Sequence, residues 1–292
     1  MAAQPSVEEI VNALKRSGYL MEQEVATELE KLGYHVRTNK AFTDSEEGKS
    51  REIDVQAYKQ ILRSEEHKLS VSVEILAECK NNSNPFVFVG REKNATDNRM
   101  PPKEFVFPFA QYVASKPIGN NQTRIRELSP FFHLGFDAVH PTHISDEKAV
   151  QFCRIDRKGG GWSANHGGLY DAIFYPLIKA LEARRSETPI NRQNDEWRFF
   201  WFYFPMVVLS GEIFYVNSMK PPEEIEKREF VNFRREIKTE KIKGVFAVDF
   251  VRQEHLQKFE EQCISPLVNR AVALVEKEAD FVRNTNIPWT FD

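Results

Sequence analysis

The chain has 292 residues, 41% of them hydrophobic and 12% aromatic, a composition typical of a folded protein with a sizeable core. Its 40 Lys and Arg residues against 43 Asp and Glu residues give a formal net charge of -3. This balance argues against a wholly basic protein that binds nucleic acid by bulk phosphate neutralisation, but it allows a local basic patch.

The N-terminal region predicts two consecutive helices. Ser6 and Glu9 form a capping-box pattern ahead of the first helix, and Gly18 is placed to end it. A single apolar stripe then predicts a second helix over residues 19–32, with Gly33 at its C-terminal cap. The stripe consists of Met21, Val25, Leu29 and Leu32.

Three strands are predicted next, over residues 34–38, 51–58 and 69–80. The last has the clearest pattern, because apolar residues from Val71 to Cys79 alternate with a more polar set. This alternation predicts a strand with one buried face, which includes Cys79.

The remainder of the chain predicts a mixed sheet covered by helices on both faces, an α/β fold. Residues 81–160 are rich in turn signals, and we expect loops and irregular insertions there. The later predicted elements are a helix over 164–185, a buried central strand over 199–204, a hairpin of 207–209 with 213–216, a strand over 245–251, and a C-terminal helix kinked near Pro266.

Four polar residues lie on predicted elements that can meet. They are Glu22, Asp54, Glu78 and Lys80. The carboxylate of Asp54 points away from the apolar face of its strand, while Glu78 and Lys80 share the polar face of the next strand. Antiparallel pairing of these strands through residues 59–68 would bring the carboxylates of Asp54 and Glu78 together near the strand ends.

Two converging carboxylates are ligands that Mg²⁺ or Mn²⁺ prefers, and a nearby lysine can orient or help deprotonate an attacking water. Each residue also has an ordinary interpretation. Glu22 suits a solvated helix face, and Glu78 with Lys80 suits a surface ion pair of little energetic value. Asp54 is harder to explain in this way, because aspartate is depleted in strands.

This order of residues resembles the PD-(D/E)XK nuclease superfamily, which has the restriction-endonuclease-like fold. Asp54 is followed about two dozen positions later by Glu78 and Lys80 in an E-x-K pattern. Residues 18–36 resemble the first core helix of the Holliday-junction-resolvase-like and Mrr-like branches, where a glutamate in a G-x-x-x-E setting completes the metal site. Glu22 occupies that place, with Glu24 as the competing register. The proline that often precedes the first aspartate is replaced by Ile53.

The resemblance implies one elaborated nuclease-like domain over residues 1–292, with an αβββαβ core and a long insertion over 81–160 after the third strand. It further implies that Asp54 and Glu78 ligate Mg²⁺ or Mn²⁺, that Glu22 supports a metal or its water, and that Lys80 handles the nucleophilic water.

Other candidate sites have weaker patterns. His140, His143, Cys153 and His166 suggest a zinc site only loosely, because their spacing is irregular. Glycines 159–161 are not followed by Lys-Ser/Thr, so a flexible turn is expected. Three widely spaced cysteines without a C-x-x-C pair predict no disulfide framework. We find no export signal or apolar run long enough to span a bilayer, and expect a cytoplasmic protein.

Charge is distributed unevenly along the chain. Residues 1–79 carry 10 Lys and Arg against 15 Asp and Glu, whereas residues 80–126 carry 8 against 3. The basic stretch predicts a nucleic-acid-binding set of Arg91, Lys93, Arg99 and Lys103, interleaved with phenylalanines that either stack on bases or belong to the core. The phenylalanines are Phe86, Phe88, Phe105 and Phe107. A second basic cluster over 234–243 is either a groove wall or a polar strand and turn.

The leading hypothesis is a metal-dependent nuclease that cleaves nucleic acid, with DNA favoured, by attack of an activated water. The main alternative is a catalytically inactive module of the same fold that binds nucleic acid or a protein partner. A third is a component of a defence or repair assembly, active only with its partner present. The expected partners are therefore nucleic acid and either a second copy of the chain or such an assembly, with no membrane partner.

Overall fold

A large mixed sheet with helices on both faces organises the protein in the computed structural model, which describes residues 4–119, 121–188 and 196–290. The helices are α1 Val7–Ser17, α2 Tyr19–Lys31, α3 Pro130–His133, α4 Pro141–Ile144, α5 Tyr175–Glu187, α6 Leu256–Phe259, α7 Ser265–Lys277 and α8 Ala279–Arg283. The strands are β1 His35–Thr43, β2 Ser50–Ser64, β3 Leu69–Lys80, β4 Phe86–Glu92, β5 Phe105–Val106, β6 Tyr112–Gly119, β7 Gln122–Leu128, β8 Glu147–Lys158, β9 Gly161–Asn165, β10 Arg198–Leu209, β11 Ile213–Asn217, β12 Glu226–Arg228, β13 Phe230–Lys238, β14 Lys243–Arg252 and β15 Asn286–Ile287.

The two predicted N-terminal helices are confirmed. The Ser6 hydroxyl accepts from the Glu9 backbone N–H, and the Glu9 carboxylate accepts from the Ser6 backbone N–H at 2.8 Å, which completes the capping box. Gly18 ends α1 with a φ of 89°, a left-handed conformation that glycine adopts without strain. The side chains of α1 all remain at least partly exposed, whereas α2 buries its predicted stripe from Met21 to Leu29.

The main sheet has the hydrogen-bonded order β1-β2-β3-β10-β14-β13-β8-β4-β11-β12, with β5 pairing to β10 and β9 to β8. Strands β1, β2 and β3 are antiparallel neighbours, and β10 lies parallel between β3 and β14. A smaller sheet has the order β15-β6-β7. The chain is therefore an α/β protein with a mixed sheet, as its sequence predicts.

Apolar side chains fill both faces of this sheet. One face packs against α2, α6, α7 and α8, and the other packs against α5. The predicted buried strand is confirmed in β10, whose residues from Phe200 to Leu209 are all buried. Strand β3 is also buried on both faces over most of its length, because α5 covers the side that alternation predicts to be exposed.

Glu74 illustrates how that second face of β3 accommodates polar groups. Its carboxylate is fully buried and accepts hydrogen bonds from Gln56 at 2.5 Å, Arg184 of α5 at 2.6 Å and Trp201 at 3.2 Å. A buried carboxylate is tolerated only when paired in this way. The ion pair with Arg184 therefore joins α5 to the sheet.

Three predictions from local sequence are wrong in detail. Residues 81–160 are not mainly irregular, since they supply β4 and β8 to the main sheet and β6 and β7 to the smaller one. The helix expected from 164 begins with a π-helical turn at Tyr170 because residues up to 165 form β9. The predicted hairpin does not form, since β11 pairs with β4 and β12 and not with β10.

The C-terminal helical region follows the predicted strand β14. It contains α6, a π-helical turn over Glu260–Ile264 and α7, so the irregularity lies directly before Pro266. None of the helices in the described ranges is long and apolar enough to cross a membrane.

Gly211 lies in the short link from β10 to β11. A Cβ at this position would collide with the backbone carbonyl oxygen of Asn82 and crowd that of Asn84. We expect Gly211→Ala to lower the free energy of unfolding by about 1–3 kcal/mol, since backbone atoms must shift to admit the methyl group. Gly161→Ala is the matched control, because its Cβ would lie 4.0 Å from its nearest neighbour, the backbone oxygen of Lys158.

Urea denaturation of both variants measures this difference. Equal midpoints for Gly211→Ala and Gly161→Ala would contradict the close approach of the two backbone segments.

Candidate functional site

Asp54 and Glu78 lie at the end of the pairing between β2 and β3. The antiparallel register runs from Ser64 opposite Leu69 to Val55 opposite Ala77, and continuing it by one residue sets Asp54 opposite Glu78. Asp54 Oδ2 accepts a hydrogen bond from the backbone N–H of Cys79 at 2.7 Å. The Asp54 side chain thus joins the two strands where the regular backbone register ends.

Lys80 is the last residue of β3. Its Nζ lies 2.5 Å from Glu78 Oε1, and both side chains are partly buried. Lys80 is opposite Leu209 of β10, which is in turn opposite Arg252 of β14. Three parallel strands therefore end at the same edge of the sheet, and the carboxyl ends of parallel strands are where α/β proteins commonly bind ligands.

Helix α2 brings Glu22 to the same edge. Burial raises the pKa of the Glu22 carboxyl, and the nearby negative charges of Asp54 and Glu78 raise it further. Glu24 instead accepts a hydrogen bond from Gln253 at 2.9 Å. Of the two candidate glutamates, Glu22 is therefore the one that is electrostatically coupled to the β-strand carboxylates.

Asn81 is a site-edge residue that the sequence analysis did not single out. Its amide nitrogen donates to the carbonyl oxygen of Lys15 at the end of α1, and its Oδ1 accepts from the Ser210 hydroxyl at 3.2 Å. Asn81 therefore joins the end of β3 to α1 and to the link after β10. The available sequence signal was its position next to Lys80, in a segment that otherwise resembles a loop.

Burial dominates the electrostatics of the two strand carboxyl groups. Burial raises the pKa of Asp54 even though the Cys79 N–H and the Lys80 ammonium oppose this change. Burial also raises the pKa of Glu78, with a further contribution from Asp54 and an opposing one from Lys80. Lys80 thus only partly offsets the negative charge, and an added cation would stabilise the ionised carboxylates.

The donor set suits Mg²⁺ in its chemistry. All the candidate ligands are carboxylate oxygens, and Mg²⁺ is often held by one or two carboxylates while waters and substrate complete its octahedron. Within the described residues, no three His, Cys, Asp or Glu side chains are gathered closely enough to hold a metal among them. Asp54 and Glu78 fit a sparse, water-rich site better than a closed protein cage.

The predicted nucleic-acid-binding residues lie on other parts of the surface. At the start of β4, the backbone N–H of Phe86 donates to the Glu212 carbonyl. Arg91 is exposed and lies five residues further along β4, which places it about 17 Å from that end of the strand. Lys93 donates to the Ser145 carbonyl at 2.6 Å, and Lys103 to that of Lys243.

Arg99 is exposed and lines a separate surface cavity near Phe132 and Phe281. The phenylalanines of this stretch belong to the core, since Phe86, Phe88, Phe105 and Phe107 are all buried. The contacts of these basic side chains do not connect them to Asp54 or Glu78 in the described part of the chain, so their role as an interface stays a prediction.

The two histidines of the zinc alternative do meet. His140 and His143 are buried, with their Nδ1 atoms 3.4 Å apart, and the Thr142 backbone N–H donates to His140 Nδ1 at 3.2 Å. Burial lowers the pKa of His143 to about 4, so this pair is neutral near pH 7. It packs against Phe105 and Phe131, which indicates a structural role.

Taken together, the residues at this edge are carboxylates whose oxygens are of the type that Mg²⁺ prefers, with one ammonium group that is paired with Glu78. The carboxylates of Asp54, Glu78 and Glu22 are coupled by charge, and Lys80 stands beside them on the strand end. Comparisons of the chain with protein-family models, with curated protein sequences and with solved structures returned no match.

Proposed function

We propose that the protein is a Mg²⁺-dependent nuclease that hydrolyses phosphodiester bonds of nucleic acid, with DNA as the favoured substrate. The observation that carries this proposal is the adjacency of Asp54 and Glu78 on β2 and β3, with Lys80 at the end of β3. Electrostatic coupling of both carboxylates to Glu22 adds a third member from a separate element.

The order of elements around the site supports the same proposal. Helix α2, strands β1, β2 and β3, helix α5 and strand β10 follow one another as α-β-β-β-α-β, interrupted by the segment between β3 and α5. The four strands are neighbours in the sheet in that order, with β10 parallel to β3. This arrangement fits the restriction-endonuclease-like core expected from the resemblance.

The chain's own residues have distinct roles in this mechanism. Asp54 and Glu78 would hold the cation, which when bound would stabilise charge developing on the phosphate. Lys80 would position a water for in-line attack and offset negative charge in the transition state. The hydrogen bond from Cys79 N–H fixes Asp54 Oδ2, so this carboxylate is oriented before substrate binds.

One observation favours the alternative of a binding module without catalysis. The Lys80 ammonium is already paired with Glu78 at 2.5 Å, so it is not free to hold a water while that pair persists. A module of this kind would bind nucleic acid or a protein partner through the same edge and show no turnover.

A pair of glutamates on one helix tests the proposal. The purified protein is expected to cut DNA in Mg²⁺ or Mn²⁺ and to stop when EDTA is added. Glu22→Gln is expected to slow cutting on the order of 10-fold to 100-fold, because it weakens support for the metal. Glu24→Gln, two residues away, is expected to cut at the unaltered rate.

Cleavage is measured on supercoiled and linear duplexes, single strands and RNA, with folding checked by circular dichroism. Binding of any of these without metal-dependent cutting, in a folded protein, would support the module without catalysis and overturn the nuclease proposal.

A further inference from the structure

A cavity of about 190 Å³ lies on the α7 face of the sheet, away from the edge that holds Asp54. It occurs where β13 and β8 share a single register pair, Phe233 opposite Ala149, so the two strands diverge beyond this point. Its lining extends to the exposed Ser145, which gives the cavity an edge towards solvent. For scale, an engineered cavity of about 150 Å³ admits benzene.

Aromatic rings form one wall of this cavity. Phe105 and Phe204 have ring centroids 5.7 Å apart, Phe204 and Phe259 are 6.3 Å apart, and Phe259 and Phe230 are 5.5 Å apart. Edge and tilted contacts set these rings at steep angles to one another, so the wall is an apolar surface of ring faces and ring edges. A further aromatic ring can pack against it in the same edge-to-face manner.

Polar groups face the same space from β13, from β14 and from Glu104, which directly precedes β5. Asn232 and Asp249 are opposite each other in the register, and Asn232 Nδ2 donates to Asp249 Oδ1 at 2.6 Å. Glu104 is buried and accepts from the backbone N–H of Ala247, which is opposite Arg234. The cavity therefore has carboxyl, amide and guanidinium groups across from an aromatic wall.

Several of these groups lack protein partners. Arg234 Nε and Asn232 Oδ1 are buried without a hydrogen bond, and Arg234 makes no ion pair with any carboxylate of the described residues. A buried polar group without a partner is costly, and such groups in a native cavity call for a ligand or water. One unused donor and one unused acceptor thus face the same cavity.

The buried environment of Asp249 and Glu104 disfavours the ionised forms of their carboxyl groups. Burial raises the pKa of Asp249 to about 7, and it also raises that of Glu104. A neutral carboxyl both donates and accepts a hydrogen bond, so these two groups can pair with the donors and the acceptors of a polar ring.

We propose that this cavity binds a single-ring heterocycle that carries both hydrogen-bond donors and a carbonyl acceptor, of the pyrimidine-base class. The ring lies against the phenylalanine wall, its carbonyl accepts from Arg234, and its amino group donates to Asn232 or Asp249. The base comes either from solution or from a strand in which it has swung out of the stack. This inference stands independently of the nuclease proposal.

Binding is measured by titration calorimetry and ligand-observed NMR without metal. Cytosine is the probe, with benzene and benzoate as ring-sized apolar and anionic comparisons. A short cytosine-containing oligonucleotide tests for a base supplied from a strand. We expect saturable binding of cytosine, or of the oligonucleotide, that exceeds binding of benzene and benzoate.

Neighbouring arginines on β13 supply matched variants. Arg234→Met is expected to weaken cytosine binding at least tenfold. Arg235→Met is expected to leave it unchanged, because Arg235 is exposed and stacks over Tyr170 outside the cavity. Asn232→Leu gives a second test of the polar wall if Arg234→Met does not fold.

Other outcomes overturn the inference. Benzene binding as tightly as cytosine would make the cavity merely apolar, preferential benzoate binding would make it an acid site, and no binding of cytosine or the oligonucleotide would leave it a hydrated void. Lys80→Ala is expected to bind cytosine like the unaltered chain, so loss of nuclease activity and loss of base binding are distinguishable.

Discussion

Lys80→Ala is expected to reduce metal-dependent DNA cleavage by on the order of 10²–10³-fold while the protein stays folded. Loss of one group that stabilises charge in a transition state typically costs this much, about 3–4 kcal/mol. Lys80 ends β3 and touches Glu78, so its removal leaves the strand pairing with Val207 and Leu209 in place. The measurement is the single-turnover cleavage rate at saturating Mg²⁺.

Asp54→Ala is expected to abolish cleavage for a different reason. The variant removes the proposed metal ligand and the bond to Cys79 N–H, so it should also lose Mn²⁺ binding in a calorimetric titration, whereas Lys80→Ala should retain it. Lys158→Ala, at the exposed end of β8, is the matched lysine control. Cleavage at the unaltered rate by folded Lys80→Ala or Asp54→Ala would disprove the assigned roles.

Asp44→Ala is expected to lower the free energy of unfolding by about 3–5 kcal/mol, the cost of removing one partner from a buried ion pair. Asp44 is fully buried in the turn between β1 and β2 and lies 2.8 Å from Lys179 of α5 and 2.7 Å from Arg51. Its Oδ1 also accepts from the backbone N–H groups of Glu46 and Glu47. Without Asp44 the buried Lys179 ammonium loses its closest partner.

The same contacts set a pH dependence for the unaltered protein. Burial alone would raise the pKa of Asp44, but hydrogen bonds from Lys179, the turn backbone and Arg51 hold it well below its ordinary value. A lowered pKa contributes stability that is complete above the unfolded value of about 3.9 and is lost as the pH falls towards the folded value. The difference between Asp44→Ala and the unaltered chain should therefore shrink at acidic pH.

Urea denaturation at pH 7 and at pH 3 tests both statements. Glu47→Ala is the control, because Glu47 lies in the same turn and touches the same cations but is exposed. A midpoint for Asp44→Ala equal to that of Glu47→Ala at pH 7 would contradict the buried network.

Local sequence was sufficient to predict the elements that depend on contacts between residues close together in the chain. The capping box at Ser6, the positive φ of Gly18 and the stripe of α2 depend on residues a few positions apart, and the structure confirms them. The turn-rich stretch after β3 misled because β4 pairs with β8, more than fifty residues later in the chain, and with the still more distant β11. Pairing between segments so far apart leaves no signal in a local pattern.

The candidate site was predictable in its strand residues and not in its surroundings. Alternation predicts Asp54 and Glu78 on matching faces; the regular register ends one residue short of them, at Val55 opposite Ala77, so this placement stays a prediction. The same alternation made Glu74 a polar-face residue, yet α5 buries it beside Arg184. Coverage by a helix from a hundred residues later cannot be inferred from a pattern within β3.

One neighbour of β3 in the sheet, β2, is close to it in the chain, and the other, β10, is far from it. This difference also affects the order of folding. Its pairing with β2 closes only the turn between Ser64 and Leu69, whereas its pairing with β10 joins Glu78 to Val207. Closing a long loop costs more entropy and slows folding. We therefore expect Asp54 and Glu78 to come together in an early local hairpin, and the edge that aligns Lys80 with Leu209 to form in a later, long-range step.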